Sequence, residues 1–149
     1  DLGALPGDLN EKFDPWVQAV TNPLKQRLGK GKFECDYHKN ILAVPLQFMR
    51  GETFDDTFII IDEAQNLTIS QAEMAMTRIG ENSKMVFCGD TSQNDHKTFR
   101  GVKEKSGLDF VINELRRQQT IGVEIIEFNM KDCVRSAACK KALDLFSKV

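Results

Sequence analysis

The sequence predicts an α/β domain, a parallel sheet sandwiched between helices, and three observations predict it. Thr57-Phe58-Ile59-Ile60-Ile61 is a continuous β-branched and apolar run that ends in Asp62-Glu63, the pattern of a buried parallel strand. A second such run, Lys84-Met85-Val86-Phe87-Cys88, ends in Gly89-Asp90-Thr91-Ser92-Gln93. Between them lies a helical pattern. Strand, helix and strand in that order form an α/β unit, which gathers polar groups at the carboxyl edge of the sheet, where ligands bind.

Bulk properties set the scale. With 149 residues, 41% of them hydrophobic and 28% charged, the chain is long enough for one core and short for two, so a single domain over 1–149 is expected. No apolar run reaches the roughly 18 residues of a membrane span, and the start lacks the basic-then-apolar pattern of a secretory signal. A cytoplasmic protein without a membrane partner is expected. A net charge of −2 does not suggest a protein held to nucleic acid by bulk charge, so any such contact must be local. The 4 cysteines, Cys35, Cys88, Cys133 and Cys139, form no Cys-x-x-Cys pair and read as reduced thiols. Cys35 and His38, with Glu34 and Asp36, have a metal-compatible spacing, but lacking a second ligand pair they read as a polar loop.

Taken in order, residues 1–10 hold a turn at Pro6-Gly7. Asp14-Pro15 starts a helix with Phe13, Trp16, Val17 and Val20 at helical spacing, and Asn22-Pro23 repeats the start signal for a second short helix carrying Leu24 and Leu28 to Gly29. Lys25, Arg27, Lys30 and Lys32, set among Gly29 and Gly31, read as a basic loop, either solvated or in contact with nucleic acid. Ile41-Leu42-Ala43-Val44 predicts a short buried strand stopped by Pro45. In the Pro45–Gly51 turn, Arg50 is a surface arginine or a contact to a phosphate or carboxylate.

After the Asp62-Glu63 strand, Thr68 and Gln71 make a capping box, with Ser70 and Glu73 as a rival register. Ala72, Ala75, Met76 and Ile79 share the buried face of that helix, and Gly80 is expected to end it. Asn94 to Lys105 lacks periodicity and predicts a mobile loop with His96 exposed. Ser106 caps a helix bearing Leu108, Val111, Ile112 and Leu115 and ending at Arg116-Arg117. Val123–Phe128 alternates enough for a strand nearer an edge. A last helix carries Ala138, Ala142, Leu145, Phe146 and Val149. Arg135, just before it, could reach a bound phosphate of its own or a neighbouring subunit, or form a structural salt bridge.

The chemistry centres on the strand ends. In P-loop nucleoside triphosphatases the first acid at such an end helps hold magnesium and an adjacent acid can activate water, which would make Asp62 the metal anchor and Glu63 the general base. A strand that merely ends in solvated acids is the alternative. The second strand, ending in Asp90 and in Gln93, which could orient water, favours the catalytic reading. A metal-dependent nuclease using Asp62, Glu63 and Asp90 is a weaker fit, because two-metal sites recruit carboxylates from more elements.

At this point the residues carry a resemblance. Leu2-Gly3-Ala4-Leu5-Pro6-Gly7-Asp8 with Glu11–Pro15, Pro45–Gly51, Ile60–Asn66, Thr77–Gly80, Ser83–Val86 with Gly89–Gln93, Lys105–Leu108 and Asp132–Arg135 stand in the order of the PhoH-like family, which the sequence resembles over nearly its whole length. That family comprises P-loop ATPases related to superfamily 1 helicase cores. The resemblance implies a RecA-like fold, ATP and magnesium as cofactors, and roles by position. Asp62 matches the magnesium-binding acid, Glu63 the water-activating acid, Gln65 the motif's glutamine, and Gln93 the sensor after Gly89-Asp90. Asp90, Gln65, Arg50 and Arg78 are implied on the nucleotide side, and Arg135 is implied as an arginine finger. Ring-like homo-oligomers, hexamers among them, and RNA or single-stranded nucleic acid are the implied partners.

The departures are equally specific. The family's Gly-x-x-x-x-Gly-Lys-Ser/Thr loop does not occur in these residues, and Gly29-Lys30-Gly31-Lys32 lacks its spacing and hydroxyl. The loop is therefore expected upstream of residue 1. Its strand is expected between the Lys84–Cys88 and Val123–Phe128 strands, which leaves the sheet incomplete on that side. Ser136 stands where the family usually has histidine, and the 94–105 loop is longer than usual. The expectation is an ATP hydrolase whose activity needs the upstream loop, with these residues inactive by themselves. The alternative is a non-catalytic module for oligomerisation or nucleic-acid binding.

Overall fold

The computed structural model describes residues 9–37, 39–93, 98–99, 102–103, 105–118 and 122–146. They fall into two units divided between Asp109 and Phe110. The arrangement is mixed α/β: a small parallel two-strand sheet flanked by helices.

The first helix, α1 (Leu9–Leu28), is continuous, where two start signals predicted two helices. Val17, Val20, Thr21 and Leu24 form one half-buried stripe that passes unbroken across Asn22-Pro23, and Pro23 lies on the exposed side. One shared face outweighs the backbone bond that an interior proline forgoes. Gly29, at φ +80°, ends the helix.

The predicted basic loop is instead a helix, α2 (Lys30–Asp36). Lys30 pairs with Glu34 at 3.9 Å and Lys32 with Asp36 at 3.3 Å, each one turn apart. Phe33 is buried, stacks on Tyr37 with ring centroids 5.0 Å apart, and lies 5.8 Å from the Lys25 ammonium. Two of the four basic side chains are thus matched by acids of their own helix. The Cys35–His38 loop reading meets the same helix at Cys35, while His38 lies outside the described residues.

Ile41–Val44 makes only a single parallel bridge, Tyr37 to Ile41, and exposes Leu42 and Val44, so the expected buried strand is not formed. A strand needs a neighbour for its ladder, and the described residues supply none there. A 3-10 turn, Leu46–Met49, then buries Met49 beside the next helix.

The core strand pair matches the sequence in place and direction. β1 (Phe58–Ile61) lies parallel to β2 (Lys84–Phe87), with Phe58 opposite Lys84 and Ile61 opposite Phe87. Burial differs from expectation. Ile61 is buried, but Phe58 is 63% and Ile60 47% exposed, with Val86 exposed on the same face. The run reads as doubly buried, whereas one sheet face is uncovered among the described residues.

Between the strands runs α3 (Ile69–Met76), which buries Ala72 and Ala75. Its start follows the capping box: Gln71 N–H donates to Thr68 Oγ1 at 3.2 Å, and Thr68 N–H donates to Gln71 Oε1 at 2.9 Å. Thr68→Ala removes one of these bonds and is expected to cost about 1 kcal/mol, read as a lowered denaturation midpoint. The helix stops at Met76, not at Gly80. Gly80 serves a close approach: its N–H donates to Phe54 O at 2.9 Å, and an added Cβ would lie 2.7 Å from that same oxygen.

Part of the expected 94–105 loop is a short antiparallel pairing, β3 (Thr98–Phe99) with β4 (Val102–Lys103). His96 lies outside the described residues. Ser106 caps α4 (Gly107–Gln118) as predicted, its Oγ accepting from Leu108 N–H at 3.1 Å.

In the second unit, Val123–Phe128 does not form the expected strand, and Ile126 and Phe128 are exposed, Phe128 by 82%. Alternation marks a segment able to form a strand, but no described residue offers it a ladder. Arg116 meets Glu127 at 2.8 Å. α5 (Ala137–Phe146) starts at Ser136, whose Oγ accepts from Cys139 N–H at 3.3 Å; Val149 lies outside the described residues. No helix of the described residues is long and apolar enough to cross a membrane.

Candidate functional site

The parallel pairing continues one residue beyond the strands. Cys88 N–H donates to Ile61 O at 2.8 Å, and Ala64 N–H donates back to Cys88 O at 2.8 Å. This crossed pair fixes the exits of β1 and β2 side by side. Asp62 and Glu63 leave one strand and Gly89-Asp90 the other, so both polar strand ends open at the same edge.

Glu63 sits in the left-handed region, φ 53° and ψ 36°, a conformation that costs a non-glycine residue about 1–2 kcal/mol. The chain then tightens into a 3-10 turn, Ala64–Asn66, that buries Ala64 and Gln65. Gln65 is 2% exposed. Its Nε2 donates to Glu63 Oε2 at 2.6 Å, and its Oε1 accepts the Asp90 N–H at 3.1 Å. One side chain thereby joins the two strand ends.

The Asp90–Gln93 turn is held by its own acid. Asp90 Oδ1 accepts from the Ser92 hydroxyl at 2.7 Å and the Ser92 N–H at 2.9 Å, while Oδ2 accepts from Gln93 Nε2 at 2.8 Å. The Ser92 hydroxyl first, and then its N–H, hold the Asp90 carboxyl below the ordinary carboxylate range against a smaller effect of burial. A depressed native pKa adds stability that is present above the unfolded value and lost as pH falls through the native one. Ser92→Ala removes the hydroxyl and keeps the backbone donor. It is expected to move the Asp90 titration part of the way back up toward the ordinary carboxylate range, as followed by carboxyl-carbon NMR, and to reduce stability only above that acid window. Burial, and then the Asp62 charge, push the neighbouring Cys88 thiol up.

Asp62 and Glu63 are exposed at this edge, as are Asp90 and Gln93. Among the described residues there is no cluster of three or more His, Cys, Asp or Glu able to hold a metal ion. Magnesium does not require one, since it takes one or two carboxylates and completes its octahedron with phosphate oxygens and water. The exposed hard oxygens of Asp62 fit that role.

The structure thus brings Asp62, Glu63, Gln65, Asp90 and Gln93 together. The arginines stand on other elements. Arg78 lies past the end of α3, where its Nη1 donates to Glu52 O at 3.3 Å and its Nη2 to Thr77 Oγ1 at 3.1 Å. Its backbone carbonyl accepts from Phe54 N–H, at the amino end of β1 and away from Asp62. Arg50 is exposed just after the Leu46–Met49 turn, in the segment that leads into that same end. Arg135 belongs to the second unit and directs Nη1 toward Cys139 Sγ at 4.0 Å, one turn into α5.

Two residues that order this edge escape sequence reasoning. Ser92 is one, although Asp90-Thr91-Ser92 carries the signal of an Asx turn, an acid that accepts from the amide two residues on. Gly89 is the other. A Cβ there would lie 2.6 Å from Gln65 Oε1 and 2.8 Å from Leu108 Cδ2, so only glycine fits against the buried amide.

Comparison with known proteins agrees with the family resemblance. The family described as PhoH-like protein matches residues 1–147. Protein PhoH of Escherichia coli K12 is 40% identical over 150 residues, covering 99% of this chain and 41% of its own length. The PhoH-like protein of Bacillus subtilis 168 is 40% identical over 148 residues, covering 99% of this chain and 44% of its own. Protein PhoH2 of the same Bacillus strain is 37% identical over 127 residues. The chain therefore spans less than half the length of these curated relatives. A match across residues 1–147 places this chain in the PhoH-like family.

Proposed function

We propose that the protein carrying this chain is a magnesium-dependent ATP hydrolase of RecA-like P-loop type. The observation that carries the reading is the convergence of Asp62, Glu63, Gln65, Asp90 and Gln93 at the shared carboxyl edge of two parallel strands. Asp62 would hold magnesium through its carboxylate oxygens, and the ion would supply positive charge against the negative charge that develops on the phosphates of ATP. Glu63, exposed beside Asp62, accepts the proton of the attacking water, and Gln93 orients that water from the facing turn. Arg135 is assigned as the arginine finger, acting on its own nucleotide or on that of a neighbouring subunit in a ring-like homo-oligomer, hexameric in the fullest form of this reading. Arg50, exposed after the Leu46–Met49 turn, is assigned to the nucleotide side, whereas Arg78, bonded to Phe54 on the amino side of β1, is given no contact with the nucleotide of its own chain.

The phosphate-binding loop is proposed in the additional length that the longer relatives have, N-terminal to these residues. The exposed face of Phe58, Ile60 and Val86 supports this reading, because a parallel sheet is ordinarily covered on both faces. Cytoplasmic location, and RNA or single-stranded nucleic acid as partner, belong to the same proposal.

The test is ATP binding and phosphate release by the full-length protein, with and without magnesium and with and without single-stranded RNA. Hydrolysis that chelation abolishes is the expected result. Failure of the full-length protein to bind ATP would overturn the reading and leave the non-catalytic oligomerisation or nucleic-acid-binding module in its place.

A further inference from the structure

We infer that Gln65 is not a nucleotide contact but a positioning residue, a buried amide that ties the Asp90–Gln93 turn to the carboxylate of Glu63. The inference rests on the ATPase reading for its catalytic consequence, and on geometry alone for the tie itself.

Gln65 is 2% exposed, so it has almost no surface to offer a ligand. Both ends of its planar amide are engaged, Nε2 on Glu63 Oε2 at 2.6 Å and Oε1 on the Asp90 N–H at 3.1 Å. Gly89 leaves no room for a side chain beside this amide, since a Cβ there would come within 2.6 Å of Oε1. Its own backbone is held as well: Ala64, just before it, donates to Cys88 O at 2.8 Å, and Leu67 O, just after the turn, accepts the Gly107 N–H at 2.7 Å. A movement of Asp90 therefore reaches Glu63 through one buried side chain bonded to both.

This links two roles. Gln93, bonded to Asp90 Oδ2, faces the same edge as Glu63, and any ligand that draws the Asp90–Gln93 turn toward it also re-aims the Glu63 carboxylate. The base is thus set by the occupancy of the facing turn. A side chain buried between two loops converts their relative position into the direction of a carboxylate, and misplacement by about 1 Å is enough to cost on the order of a hundredfold in rate.

Two variants of the full-length protein separate the alternatives. Gln65→Met keeps the volume and removes both bonds. Gln65→Glu keeps an acceptor for the Asp90 N–H but sets a second carboxylate against Glu63. Hydrogen exchange of the Asp90 amide is expected to accelerate about tenfold or more in Gln65→Met and to stay slow in Gln65→Glu. The kcat for ATP is expected to fall at least about tenfold in both, while the Kd for ADP with magnesium changes less than about threefold. A merely structural glutamine would move exchange and turnover together in both variants. Loss of ADP affinity in step with kcat would make Gln65 a nucleotide contact and overturn the inference, as would wild-type kcat in Gln65→Glu. The exchange contrast is read without hydrolysis. Its absence overturns the tie, whereas its presence in a protein that hydrolyses nothing sinks the ATPase reading and retains the tie.

Discussion

Glu63→Gln in the full-length protein is expected to lower ATP turnover by about 10²–10⁴-fold, the usual contribution of a positioned general base, and to leave binding of magnesium–ATP within a few-fold of wild type. The substitution changes little else. Glutamine has the same length, and its Oε can still accept from Gln65 Nε2, which now lies 2.6 Å from the Glu63 carboxylate. The left-handed backbone at residue 63 is retained, since the bond from Ala64 N–H to Cys88 O that supports it is untouched. What disappears is the ability to take a proton. Single-turnover phosphate release and equilibrium binding of a fluorescent ATP analogue separate the two effects. Unchanged turnover would remove Glu63 from the base role and return the Asp62-Glu63 pair to solvated acids at a strand end.

The parts of this structure that were legible in the sequence are those whose cause is local. β1 and β2 are short apolar runs with polar ends, α3 carries its capping box in four consecutive residues, and Ser106 announces α4. Because parallel strands share a direction, two legible strand ends also made Asp62, Glu63, Asp90 and Gln93 legible as one edge.

What was illegible depends on partners distant in sequence. Asn22-Pro23 looks like a helix start, and only a continuous packed stripe keeps α1 whole. Ile41–Val44 and Val123–Phe128 have the composition of strands, but a ladder needs a neighbour that composition cannot supply. Arg78 stands in a motif that suggested a nucleotide contact, yet the helix before it runs back to the amino end of β1. Gln65 was legible as a motif residue and illegible as a bridge, because its second partner, Asp90, is 25 residues away.

Gly107→Ala is expected to destabilise the protein by about 1–3 kcal/mol, the typical cost of overpacking, and the sign is not obvious from the helix alone. Gly107 opens α4, and in an exposed helix interior alanine would be favoured over glycine by about 1 kcal/mol. Contact decides the other way. An added Cβ would lie 2.5 Å from Thr68 O and 2.8 Å from Ala72 Cβ, and neither can yield easily. Thr68 is the capping residue of α3, and Ala72 is buried on that helix. Gly107 N–H also donates to Leu67 O at 2.7 Å, so a retreat of α4 would break that bond and loosen the turn that carries Gln65. Gly31→Ala is the control: Gly31 lies within α2, an added Cβ meets nothing within 4 Å among the described residues, and helix propensity should make the change stabilising. Thermal melts of the two variants should therefore shift in opposite directions, Gly107→Ala down and Gly31→Ala up. If Gly107→Ala melts at or above the wild-type temperature, α4 does not approach the Leu67-Thr68 backbone this closely, and the support for the Gln65 turn must come from elsewhere.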